Sequence, residues 1–190
     1  SGMIAVTNPN YNFSGNAVSA ALDVSSTDRT VTTGYKSSNT GFNLGTSFEQ
    51  YENIFISPEI ILSRERIEAE STASKSIKKM DGTYSNLDFK YGITLDKRNQ
   101  TFQPTEGYRS SFSQTLPILQ DSASVENGFN LSAYHDFSED VIGSLKFYAR
   151  TIHGVDDDVR LTNRLFIPRK RLRGFVAGKV GPKDGADWIG

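Results

Sequence analysis

The chain has 190 residues with 21 basic and 22 acidic side chains, a formal net charge of −1; that length suffices for one domain, and the balance provides no global field for nucleic acid. It has no cysteine and two histidines, His135 and His153, which excludes disulfides and thiolate chemistry and leaves too few ligands for a His-based metal site. No run reaches the roughly 20 apolar residues of a transmembrane helix, and the opening SGMIAVTNPN lacks the basic and apolar regions of a signal peptide; a transmembrane β-barrel escapes both tests, because its strands alternate lipid-facing and lumen-facing residues.

In chain order, residues 3–7 read as the end of a strand and 16–25 as a full one. The stretch RTVTTGYK (29–36) extends a hairpin. Over 40–50, Phe42, Leu44 and Phe48 oppose Asn43, Ser47 and Glu49. A strand follows over 53–66, although EIILSRERIEAE (59–70) also admits a helix on propensity alone. A long loop spans 68–83. The next strand, 84–97, alternates most strictly: Leu87, Phe89, Tyr91, Ile93 and Leu95 share one face, and Asp88, Lys90, Gly92, Thr94 and Asp96 the other. Strands follow over 107–117, 125–137 and 141–153. In the last, Leu145, Phe147 and Ala149 oppose Lys146, Tyr148 and Arg150.

Such alternation marks strands with one apolar face. Several run to ten residues or more, above the five or six usual in soluble sheets, whereas about 9–11 tilted residues cross a bilayer. EQYEN and HDFSED are tight polar turns, while 68–83 and everything after 153 are long. Short turns on one rim and long loops on the other characterise an outer-membrane barrel. The expected fold is therefore all-β, an antiparallel up-and-down transmembrane β-barrel, with Leu87, Phe89, Ile93, Leu95, Leu145 and Phe147 facing lipid. Asp88, Lys90, Asp96, Asp136, Lys146 and Arg150 would line a wet interior. A one-sided soluble sheet would present the same residues to solvent.

No catalytic constellation, cofactor motif or metal site emerges, so the chain reads as non-enzymatic. Asp156, Asp157 and Asp158 form an acidic loop without the ligand spacing or glycine of a calcium loop. PRKRLRGF (168–175) is a short basic cluster without interleaved aromatics, a loop feature and not a nucleic-acid site.

Three stretches carry a resemblance. LRGF (172–175) followed by VGPKDG (180–185) resembles the sixth extracellular loop of the BamA family, the outer-membrane assembly and translocation superfamily also called the bacterial surface antigen family. YGITLDKRNQTFQPTEGYR (91–109) is similar to its strand-turn-strand signature, an Asp96-x-Arg98 pair followed by Pro104-Thr-x-Gly107. VTNPNYNFSGNAVS (6–19) is similar to a weaker stretch near an earlier turn. Gln103 departs from the family, which has Phe before this proline.

The resemblance implies a 16-stranded barrel whose loop before the twelfth strand folds back into the lumen. The strand at 141–153 would be the eleventh and 154–190 most of the returning loop, so about seven to nine strands of the barrel would be present. The chain would then be a fragment, with the remaining strands and the periplasmic POTRA domains outside this stretch. In the loop, Arg173 offers a five-donor fork for a carboxylate, which the resemblance places on strands beyond residue 190. Gly174 permits a tight turn, Phe175 packs on the inner wall, and Gly181-Pro182 fixes the return. Asp96 and Arg98 would pair at the periplasmic rim, with Gly107 permitting the turn after Pro104.

The implied function is insertion and folding of other barrel proteins in the outer membrane of a Gram-negative bacterium, with no ATP or cofactor. The implied partners are outer-membrane lipids, unfolded outer-membrane protein clients, accessory assembly lipoproteins and the remaining strands of the same barrel. Two other readings stand beside it: a two-partner secretion transporter on the same fold, and a soluble β-sandwich acting as a binding or adhesion module.

Overall fold

Alternating segments become strands only if neighbours keep their side chains in phase, because a slip of one residue reverses every face. A computed structural model of the chain describes residues 1–121, 123–155, 159–160, 162–165, 167, 174–176, 180–181, 183–184 and 187–188. In it, eight strands form one sheet in sequence order: β1 (Gly2–Asn8), β2 (Ala17–Asp28), β3 (Tyr35–Tyr51), β4 (Ile54–Ala69), β5 (Gly82–Asp96), β6 (Gly107–Gln120), β7 (Ser124–Ser138) and β8 (Val141–Gly154). Every neighbouring pair is antiparallel. A separate two-stranded pair, β9 (Lys183–Asp184) with β10 (Asp187–Trp188), and two one-turn helices, α1 (Thr30–Thr33) and α2 (Lys75–Lys78), complete the elements.

Phase is kept across the sheet. Ile4 pairs with Leu22, Leu22 with Phe42, Phe42 with Leu62, Leu62 with Leu87 and Leu87 with Leu119. A second row runs Phe48, Ile56, Ile93, Phe112, Phe129 and Ala149. All of these lie on one apolar face. The opposite face carries Ser25, Asn39, Glu65, Asn86, Asp88, Glu126 and Arg150, with Glu126 and Arg150 forming a cross-strand ion pair. Near the 28–35 end of β3 and β4 the outward positions turn polar, with Lys36, Arg64, Arg66 and Glu68. Strands of 17 and 16 residues thus exceed the ~9–11 that span a bilayer, and the surplus projects past the apolar band.

Three expectations change. The stretch 59–70 is strand, not helix: β4 is paired on both sides along this length, and two ladders outweigh the helical preference of its Glu, Leu and Arg residues, a fraction of a kcal/mol each. Residues 29–36 do not simply extend a hairpin. Asp28 Oδ1 accepts from the Thr30 N–H at 3.0 Å and hydroxyl at 2.7 Å, and the chain turns through α1 into Gly34 at φ 72°. The rims are also less asymmetric than the turn lengths implied. The rim with the tight turns at 52–53 and 139–140 also carries 9–16 and 97–106, and the opposite rim includes the short 121–123 link.

Two prolines sit inside strands, where the missing N–H breaks a ladder. At Pro58 the β3–β4 pairing lapses between Gly45–Glu59 and Phe48–Ile56 without a change of register, and the Ser47 and Ser57 hydroxyls hydrogen-bond across the gap at 2.9 Å. At Pro117 the register shifts: Asp88 pairs with Pro117 but Leu87 with Leu119, leaving Ile118 as a bulge. The sequence alone ends this strand at 117. The bulge carries it to Gln120 and changes which residues face which way.

The buried apolar residues are few. Tyr35, Ile67, Ala73 and Ile77 form one cluster at the α2 end, supported by Ala69, Met80 and Tyr84. The chain exposes 12441 Å² at a mass of 21.0 kDa, whereas a folded soluble monomer of that mass exposes about 9,000 Å². Leu145 and Phe147 are 64% and 54% exposed. A sandwich would cover this face with a second sheet; the described residues contain none of matching size, and the soluble-sandwich reading fails on that count.

Gly107 gives a test of the turn that sets the β5–β6 register. Its φ is 91°, and a Cβ there would overlap the Lys97 carbonyl oxygen and press on Arg98. Gly107→Ala should destabilise the folded barrel by about 1–3 kcal/mol, read as a lower urea midpoint for the full-length protein in detergent; Gly92→Ala, where a Cβ would make only ordinary contacts with Phe112 and Ser57, is the control and should shift it far less.

Candidate functional site

The segment after β8 returns onto the polar face. The Val155 N–H bonds the Ala123 carbonyl at 2.9 Å, and a turn follows in which the Asn163 and Arg164 N–H groups bond the Arg160 carbonyl at 2.9 and 3.1 Å. This turn presents Arg160 to the wall, where it is 3% exposed. Arg160 Nη2 donates to Asn86 Oδ1 at 2.7 Å, Nη1 lies 3.6 Å from Glu65 Oε2, and the guanidinium stacks 4.6 Å above the Tyr84 ring centroid. The Thr162 hydroxyl donates to the same Glu65 oxygen at 2.9 Å.

Each wall partner follows from period two. Glu65 on β4 and Asn86 and Asp88 on β5 point to the polar face because Leu62, Arg64 and Leu87 point away. Gln120 joins them only because the Ile118 bulge reverses the phase of the end of β6. Its amide donates to Asp88, and its carbonyl oxygen accepts from the Ser124 N–H at 3.2 Å. Asp88 also feels the Arg160 charge. The Nη1–Glu65 contact is an ion pair just beyond hydrogen-bond length, and among the described residues Nε and Nη1 have no hydrogen-bond acceptor. Burial without full satisfaction makes this anchor costly to disturb, since low local polarity strengthens both the pairing and the penalty for losing it. The arrangement holds a loop against a wall.

A second cluster forms at the opposite rim. Arg98 clamps Asp96 bidentately, Nε to Oδ1 at 2.8 Å and Nη2 to Oδ2 at 2.6 Å, and Arg109 Nε on β6 lies 3.6 Å from Oδ2. The pair closes locally, within the turn, and Arg109 ties it to the next strand. Asn99 braces the return, donating to the Thr105 hydroxyl at 2.6 Å and accepting from the Thr105 N–H at 3.2 Å. Gln103, before Pro104, has φ 49°, and its carbonyl accepts from the Gln100 amide at 2.7 Å.

Of the loop residues singled out from sequence, Arg173 and Pro182 lie outside the described residues, as do Asp156, Asp157 and Asp158. Gly174 and Gly181 have φ 90° and 136°, and Phe175 is 56% exposed. Leu87, Phe89, Ile93 and Leu95 on β5 share the apolar face with Leu145 and Phe147 on β8. Sequence reading did not find Arg160, Glu65, Asn86 or Gln120 as a group. Arg160 stands in VDDDVRL, where no periodicity marks it, and its partners are spread over two strands, β4 and β5.

One sheet with an apolar and a polar face, a minimal internal core and a loop folded onto the polar side defines a stretch of β-barrel wall. The model of the Omp85 superfamily domain matches residues 1–190, and the chain belongs to that family. No curated protein matches it in sequence. Among solved structures, it is similar to BamA from Haemophilus ducreyi lacking POTRA domains 1–3, with a TM-score of 0.81 and 17% identity over 95% of this chain. The chain spans 38% of that structure's chain. The all-β barrel fold and the BamA-like resemblance expected from LRGF and the Asp96–Gly107 signature are thereby borne out.

The anchor yields a prediction. Arg160→Ala in the full-length protein should cost about 1–3 kcal/mol of local stability, because it leaves the partly enclosed Glu65 without its cation and Asn86 without its donor. The measurement is limited proteolysis of the folded protein: cleavage between residues 155 and 190 should accelerate, and Glu65→Gln should accelerate it less.

Proposed function

We propose that this chain is a wall-and-loop segment of an outer-membrane barrel that inserts and folds other barrel proteins. The observation that carries the reading is the division of one continuous sheet into an apolar and a polar face, on a chain that belongs to the Omp85 family. The apolar face, including Leu87, Phe89, Ile93, Leu95, Leu145 and Phe147, meets outer-membrane lipid. The polar face lines a wet lumen and receives the returning loop.

The work is physical and needs neither ATP nor a cofactor. A barrel whose closing strands pair imperfectly presents N–H and C=O groups that template an incoming strand. A short apolar band thins the bilayer beside it, which lowers the cost of carrying polar backbone through lipid. The seam belongs to the remaining strands of the same barrel, and this segment supplies the scaffold and the lumenal latch. In the latch, Arg173 takes a carboxylate of those strands, Gly174 supplies the bend, Phe175 settles against the wall once they are present, and Gly181-Pro182 direct the return; Arg160 is its anchor on the near wall. Asp96, Arg98, Pro104 and Gly107 hold the periplasmic turn. Unfolded outer-membrane proteins are the clients, and accessory lipoproteins dock from the periplasmic side.

The deciding experiment reconstitutes the full-length protein in liposomes with an unfolded barrel client. Faster appearance of protease-resistant, heat-modifiable client supports the reading; passage of a polypeptide into the lumen without client folding would instead make the protein a secretion transporter. Two variants test the parts. Arg173→Ala should slow client folding while the strand signal in circular dichroism stays the same. Phe147→Arg should destabilise the barrel by about 2–4 kcal/mol if residue 147 lies near the bilayer midplane, and a nitroxide on Phe147→Cys should relax faster with oxygen than with a water-soluble nickel chelate.

A further inference from the structure

The apolar face is not uniform. Where it gives way to polar residues on the loop side of the sheet, Leu22, Phe42, Leu62, Leu87 and Leu119 line an open trough of about 450 Å³, and Arg64 stands at its rim. Arg64 pairs in register with Thr40 on β3 and Ser85 on β5, so small hydroxyl residues flank it and leave the guanidinium uncovered. The cations farther along the same strands are already engaged: Arg66 Nε lies 2.8 Å from Glu68, and Lys36 lies 3.6 Å from Asp28. Among the described residues, Arg64 has no ion pair, and it is exposed. Leu119, 68% exposed, reaches the trough only because of the Ile118 bulge.

We propose that this trough binds one phosphate-bearing membrane lipid, with an acyl chain on the leucine and phenylalanine floor and the phosphate on Arg64. The proposal rests on the apolar face being lipid-facing. A planar guanidinium offers paired donors matched to phosphate oxygens, and its position at the border of the apolar band is the depth of a headgroup. A peptide strand is the poorer occupant. The β2, β3, β4 and β5 ladders are continuous beneath the trough, so no backbone edge is free for strand addition. A loose phosphate would use Arg64 but gain nothing from the apolar floor.

The test uses the full-length protein in neutral detergent, with bound lipid counted by native mass spectrometry during titration. The probes are dioleoyl phosphatidic acid, dioleoylglycerol and inorganic phosphate. Wild type should retain phosphatidic acid in preference to dioleoylglycerol, Arg64→Gln should weaken the strongest phosphatidic acid site by about tenfold, and Arg66→Gln should change it by less than about twofold. The proposal is overturned by equal retention in wild type and Arg64→Gln, by dioleoylglycerol binding as tightly as phosphatidic acid, or by an equal loss in Arg66→Gln. It is also overturned if millimolar inorganic phosphate displaces the lipid completely, which would make Arg64 a site for a soluble anion. The nitroxide at residue 147 reads the lipid-facing assignment separately: oxygen accessibility there with no effect of Arg64→Gln removes the site alone, whereas nickel-chelate accessibility removes the membrane reading beneath it.

Discussion

Everything in this molecule depends on register. Side chains in a strand alternate with period two, so one apolar face across eight strands requires seven successive pairings to agree in phase. A single-residue slip between β4 and β5 would send Leu87, Phe89 and Ile93 to the polar side and Asp88 and Lys90 to the apolar one. Backbone hydrogen bonds do not distinguish the two registers, because either satisfies the ladder. The distinction comes from what lies on each side, and in a membrane the penalty for a charge on the wrong face reaches about 2–4 kcal/mol per Arg or Lys at the bilayer centre. The rim motif adds a local constraint. Asp96 clamped by Arg98, with Gly107 in a backbone region open to few other residues, joins β5 to β6 at one offset.

The register also shifts beside two tight turns, at Glu49/Tyr51 and Asp136/Ser138, but the bulge at Ile118 is the shift that both faces use. Pro117 cannot donate to the β5 ladder, so a departure from regular pairing there has little cost in hydrogen bonds. Beyond it, Leu119 takes the outward position opposite Leu87, and Gln120 turns inward to Asp88 and the Ser124 N–H. A regular strand would have reversed these two. The same extra residue thus supplies a wall of the outer trough and a prop for the carboxylate near Arg160.

Arg160 and Arg64 show how differently one side chain type behaves on the two faces. Arg160 is enclosed by Glu65, Asn86 and Tyr84, and its removal leaves a partly enclosed carboxylate without its cation. Arg64 is exposed at the border of an apolar band, with hydroxyls as neighbours. Burial and local polarity decide the role, since the guanidinium carries the same charge and donors in both places.

The strands were legible because alternation is local: each strand of the main sheet overlaps a stretch that the pattern marks, and the LRGF and Asp96–Gly107 stretches pointed to the family to which the chain belongs. Propensity misread one option, the helix over 59–70, because no intrinsic preference of Glu or Leu includes the two ladders that hold β4. The turn lengths gave an incomplete view of the rims, since 9–16 and 97–106 share a side with the tight turns. Arg160 was invisible, because its partner Asn86 lies 74 residues away along the chain and Glu65 farther still. By itself, then, the sequence determined which residues pair into an amphipathic wall, because period two is a property of neighbours in the chain. Only the tertiary structure decided where the returning loop anchors, which way residues beyond Pro117 point and which arginine stays uncovered, because those depend on contacts between strands far apart in sequence and on a register shift that no local pattern encodes.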